Sequence, residues 1–183
     1  MERLDPRSRS DAYGSRINRQ HSPIIATVVP WGSILIGSLL PIFFIASALP
    51  FVPPFGYLML LAWRLARPGL LPVWAGFPLG MFDDLFSGQP FGSAILLWSI
   101  SMIAIELVEQ RFPWRTFMQD WFTAALLVLA YLPIGVALSG ATPTMPAFIA
   151  LGPQMVLSIL LLPVATSLIS VLDRWRLSRW KQA

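Results

Sequence analysis

Four carboxylates stand out in a chain otherwise poor in reactive groups. Asp83 and Asp84 are adjacent, and Glu106 and Glu109 lie three residues apart. Paired acids can exchange protons, hold a cation or anchor a substrate. Little else in the sequence could work with them. There is no cysteine, which excludes disulfides, thiol nucleophiles and thiolate metal sites. The sole histidine, His21, lies in a polar N-terminal arm, so histidine triads and multi-histidine metal sites are excluded as well. No phosphate loop, zincin helix, Gly-x-Ser-x-Gly motif or alcohol-phosphotransferase acidic constellation is present. The sequence predicts no catalytic residues, no cofactor and no metal. An active site would have to be built from Asp83, Asp84 and hydroxyls alone.

The medium around these acids follows from composition. Of 183 residues, 56% are hydrophobic before the 12 glycines are counted, and 12% are charged. Soluble domains have about 45–50% apolar residues with glycine included, and about 25% charged. A chain this small cannot cover a water-facing surface with so few polar groups. A soluble enzyme, a nucleic-acid module and a disordered chain are excluded, and a small polytopic membrane protein remains.

Two charge-free runs set the helix count. Ile24 to Trp63 holds 40 residues without Asp, Glu, Lys or Arg, and Trp121 to Leu172 holds 52. A helix of about 20 residues crosses the roughly 30 Å hydrocarbon layer, so each run must fold back once. Pro50, Pro53, Pro54 and Gly56 offer the break in the first run, and Ser139 to Pro143 with Pro146 in the second. Between them, Leu70–Phe86 and Gly92–Val108 are separated by Ser87-Gly88-Gln89-Pro90, which reads as a glycine cap followed by a proline start. The expected fold is all-α, with six transmembrane helices near 30–49, 52–66, 70–87, 92–109, 119–138 and 148–171.

Charge tests that count. Five of the 13 Lys and Arg precede the first span. Arg64 and Arg67 lie between spans two and three, and Arg111 and Arg115 between spans four and five. Arg174, Arg176, Arg179 and Lys181 follow the last span. The loops around Pro53, Gly88 and Thr142 have none. Every cation falls on one side of a six-span arrangement, which by the positive-inside rule puts both termini in the cytoplasm. The expected organisation is an uncleaved, disordered basic arm at 1–23, a six-helix transmembrane domain at 24–172, and a basic, Trp-containing cytoplasmic tail at 173–183. The tail reads as an interfacial anchor, with a docking site for a cytoplasmic partner as the alternative.

An ionisable group at membrane depth is costly, by about 2.5–3.5 kcal/mol at mid-helix on insertion scales. Asp83 and Asp84 sit about one turn from the outer end of span three, near a C-terminus whose partial charge disfavours a carboxylate. Side chains of adjacent residues diverge by about 100°, so the two cannot share a partner. The plainer reading is that they fix the following turn, through Ser87, Gln89 and the backbone N–H groups of Gly88–Gly92. The sharper one is an ion relay or a substrate-binding carboxylate. Glu106 and Glu109 share a helix face at the inner end of span four, where an ion pair with Arg64, Arg67, Arg111 or Arg115, or snorkelling, accounts for them. Gly76 and Gly80 form a GxxxG that allows close helix approach. Pro78 between them is expected to kink span three, and prolines 30, 41, 72, 133, 153 and 163 suggest bent helices around a close-packed centre.

The stretch from Pro53 to Gly92 resembles the family of the rod shape-determining protein MreD. Its Gly-x-x-x-Asp-Leu-x-Ser-Gly-x-x-Leu-Gly pattern is matched by Gly80, Asp84, Leu85, Ser87, Gly88 and Gly92. Phe91 stands where the pattern has Leu, and Asp83 is extra, so Asp84 is the residue carried over. The resemblance implies a non-enzymatic scaffold in the bacterial inner membrane, part of the elongasome that makes peptidoglycan during lateral growth. Its partners would be an MreC-type membrane protein, the actin-like MreB, and RodA with its penicillin-binding-protein synthase, with no nucleic acid. The architecture is also similar to the substrate-binding components of energy-coupling-factor transporters. A vitamin-type transporter component, with Asp84 and a Trp-rich interior as its pocket, is therefore the alternative function. A membrane enzyme acting on lipid-linked precursors through Asp83 and Asp84 ranks last.

Overall fold

The computed structural model describes residues 23–45, 52–112, 116–140 and 145–177. Most of the N-terminal arm, Arg115 and the chain beyond Leu177 lie outside these residues. The described residues form six α-helices: α1 (Pro23–Ile45), α2 (Phe55–Ala66), α3 (Gly76–Phe86), α4 (Ser93–Arg111), α5 (Phe117–Leu138) and α6 (Met145–Leu177). A 3₁₀ turn, Val73–Ala75, leads into α3. Three segments are long and apolar enough to cross a membrane: Ser93–Arg111, Phe117–Leu138 and Leu151–Arg176. Thr27–Ile42 and Phe55–Ala66 are shorter apolar helices.

The sequence reading makes span three too long. Instead of one helix over 70–87, the chain turns at Pro68-Gly69, with Gly69 at φ +80°, bends at Leu70 and Leu71, and is extended at Pro72. It enters α3 only at Gly76, giving 11 residues, or about 17 Å of helix. Proline cannot donate to a preceding turn, so Pro72 caps a helix rather than continuing one. The kink expected at Pro78 also does not arise. Pro78 falls in the first turn of α3, where a missing N–H has no intrahelical carbonyl to lose.

The 12-residue α2 is the centre of the molecule. Ten consecutive residues, Gly56 to Leu65, are buried. It packs chiefly against α1 and α6, with α4 and α5 completing the ring around it. Close approach to α1 depends on paired small residues. A Cβ on Gly37 would lie 3.1 Å from Gly56 Cα, and one on Gly56 would lie 3.0 Å from Ser38 Cα. Tyr57 stacks on Tyr131 of α5 at 4.0 Å between ring centroids, and its hydroxyl shares a 2.7 Å hydrogen bond with Ser101 of α4. Trp63 Nε1 donates to Ser33 Oγ of α1 at 2.8 Å. Hydrocarbon offers no hydrogen bonds, so polar side chains at this depth must bond to each other or to backbone. The outward faces carry exposed apolar side chains such as Leu96, Ile100 and Ile103 on α4 and Leu160, Val164 and Leu168 on α6. That suits lipid contact.

Candidate functional site

The Asp84 motif is a joint between α3 and α4. Gly76 and Gly80 face α4 without side chains. A Cβ on Gly76 would lie 2.9 Å from the Trp98 carbonyl oxygen, and one on Gly80 2.7 Å from that of Ala94. Backbone therefore rests on backbone, the approach that GxxxG permits. Gly88 (φ +70°) and Gly92 (φ +100°) then reverse the chain through a region L-residues rarely adopt.

The reversal brings the start of α4 onto Asp84. Oδ2 accepts from the Gly92 N–H at 2.9 Å and the Ile95 N–H at 3.1 Å. Oδ1 accepts from the Ala94 N–H at 2.8 Å and the Ser93 hydroxyl at 3.2 Å. One carboxylate thus satisfies three of the N–H groups that a helix start leaves without partners, at the positive end of the α4 dipole. That favourable end offsets the unfavourable C-terminus of α3. The Ser87 and Gln89 side chains do not bond to Asp84 directly. Ser87 Oγ accepts from the Gln89 N–H at 3.4 Å, and Gln89 Oε1 accepts from the Ser93 hydroxyl at 3.3 Å.

Asp83 diverges, as adjacent helical residues must. It is buried and faces the Ser38 hydroxyl of α1 on the side where Tyr131 of α5 lies. Asp84 bonds to α4 while Asp83 faces α1, so the two do not share a partner. Among the described residues, no three His, Cys, Asp or Glu side chains gather closely enough to hold a metal ion.

The other polar cluster joins the C-terminal ends of α2, α4 and α6, at the opposite end of α4 from Asp84. Arg64 is 2% exposed. It donates to Glu109 at 3.0 Å through Nη1 and pairs with Glu106 through Nη2. Arg67 instead reaches α6, pairing with Asp173, which also holds Arg176 at 2.8 Å. The Arg176 guanidinium lies 5.9 Å from the centroid of the Trp63 ring. Arg111 ends α4 exposed, and Arg174 donates from Nε to the Ser170 carbonyl at 3.2 Å. Arg64, Arg67, Arg111, Arg174 and Arg176 thus gather at one end of the bundle.

Three features escaped the sequence reading. The Gly37–Gly56 contact lies in a run whose uniform apolarity hides which small residues meet. Asp173 opens the segment expected to be a tail, yet it fastens α2 to α6. Thr116 forms a capping box with Gln119 at the start of α5, its N–H donating to Gln119 Oε1 at 3.0 Å. The Thr-x-x-Gln spacing before an apolar run would have revealed that helix start.

A family model described as rod shape-determining protein MreD matches residues 23–172. No curated protein and no solved structure matches the chain.

Proposed function

The chain belongs to the rod shape-determining protein MreD family, and from that premise we propose that it is a non-enzymatic scaffold of the bacterial inner membrane. In this reading both termini face the cytoplasm. The bundle holds an MreC-type membrane partner, and through it the actin-like MreB and the RodA and penicillin-binding-protein synthase, during peptidoglycan synthesis.

The observation that carries the reading is the internal use of the polar groups. Asp84 accepts four hydrogen bonds from its own chain, Arg64 pairs with two glutamates, and Arg67 and Arg176 share Asp173. These groups hold helices together and are not set around a reacting substrate. The surface available to others consists of lateral helix faces, including Trp74, Phe77, Met81 and Leu85 along one side of α3 and the turn before it. Within a bilayer, such faces recognise other helices by packing.

Depletion tests the reading. Rod-shaped cells should become round, and the tagged protein should co-purify with the MreC-type partner in detergent. Cells that keep their shape but lose uptake of a vitamin would contradict it and favour a transporter component.

A further inference from the structure

We propose that the bundle binds one anionic phospholipid in a groove between α2, α5 and α6, at the end where the arginines gather. Two recesses form this groove. The inner one, of about 100 Å³, has walls of Ala62, Leu65, Trp121, Ala124 and Leu162. The outer one, of about 330 Å³, is lined by Arg67, Ile169, Ser170, Asp173 and Arg174. Ala66 and Thr166 line both, so the two adjoin.

The walls match the two parts of a lipid. The inner recess is walled mainly by apolar and small side chains. Only Asp120 and Thr166 interrupt its apolar lining, so it suits an alkyl chain. Trp121 in its wall marks the depth at which indoles settle below the headgroups. The outer recess matches a phosphate. Arg67 and Arg174 line it beside the single carboxylate of Asp173, and Arg176, outside the lining, pairs with that carboxylate, a net charge of +2 for the four groups. Asp120 on the α5 wall lowers this to +1. On the other side of α2, Arg64 and Arg111 against Glu106 and Glu109 sum to zero. The positive side of the bundle is thus the side with the groove. Among the described residues, Arg174 hydrogen-bonds only through Nε, leaving its planar fork for phosphate oxygens. Basic pockets between membrane helices hold anionic headgroups on this principle.

The test uses the full chain, purified in mild detergent and stripped of lipid. Phosphatidylglycerol, phosphatidylcholine or inorganic phosphate is then added, with bound lipid read by native mass spectrometry and stability by thermal unfolding. One phosphatidylglycerol should be retained and raise the midpoint, with phosphatidylcholine held at least five-fold more weakly. Arg174→Gln should weaken retention roughly five-fold, as about 1 kcal/mol per basic group converts. Ala66→Leu should fill the junction and abolish retention while the lipid-free midpoint stays unchanged. Should that variant fail to fold, Thr166→Leu fills the junction from the opposite wall. Equal retention of both lipids, an equal shift with inorganic phosphate, or unaltered retention in the filled variants would overturn the proposal. So would a groove whose filling leaves lipid untouched but breaks a complex with another membrane protein, since the occupant would then be a partner helix.

Discussion

Asp84→Asn should destabilise the protein far more than Asp83→Asn, although the two residues are neighbours. Each Asp84 oxygen accepts two hydrogen bonds, three of the four from backbone N–H groups at the start of α4. Asparagine keeps one oxygen and turns an NH₂ donor toward the remaining pair. Hydrogen bonds to a charged group contribute about 1.5–3 kcal/mol each, so two lost bonds amount to about 3–6 kcal/mol before relaxation. Gly88 to Phe91 are exposed, and water entering there returns part of that loss. A net loss of about 2–3 kcal/mol is expected, or roughly 30- to 150-fold in the folded-to-unfolded ratio. Asp83 faces one hydroxyl, which an amide also satisfies, so its variant should lose about 1 kcal/mol or less. Purified proteins would be compared by denaturant unfolding in detergent, with helicity as the readout. Cell shape in a complemented depletion strain would be scored alongside. Equal stability of Asp84→Asn and the parent, or a larger effect of Asp83→Asn, would refute the capping argument. A stable Asp84→Asn protein that co-purifies with its partner yet fails to restore rods would point to a direct functional role for the carboxylate.

Two further outcomes follow from contacts elsewhere in the bundle. Gly80→Ala puts a Cβ 2.7 Å from the Ala94 carbonyl oxygen and should lose about 1–3 kcal/mol by thermal unfolding, whereas Gly32→Ala, with nothing within 4 Å, should be close to neutral. Arg64→Leu removes the buried guanidinium that Glu106 and Glu109 share and should lose about 3–5 kcal/mol, with part of the loss recovered on adding Glu109→Gln in the same unfolding assay.

The joint around Asp84 was legible because its parts are local. Glycines at 76, 80, 88 and 92 and an acid one turn before a break specify a close crossing and a cap without distant information. The helix count was legible from the charge-free runs. The lengths of α2 and α3 were not, because hydropathy measures apolarity and not helical continuity. Leu70 and Leu71 are apolar whether they continue a helix or lie in the turn after Gly69. Nor could the sequence reading tell that α2 is enclosed. In a membrane, the residues that face lipid and those that face the core are equally apolar, so Leu60 and Leu126 read alike, although one is buried and the other exposed. Arg64 shows the same limit from the charged side. It marks a helix end, as the pattern required, but only the fold reveals that this end is covered by α4.

The central claim is that the Asp84 joint and the arginine end lie on opposite sides of the bilayer. The natural absence of cysteine allows a direct measurement. Single cysteines placed at Gln89 and at Arg174 would be treated in intact cells, with the outer membrane permeabilised where there is one, using a membrane-impermeant maleimide. Labelling of Gln89→Cys alone, with Arg174→Cys reacting only after lysis, is the expected result. Labelling of Arg174→Cys from outside, or of both positions equally, would contradict the account.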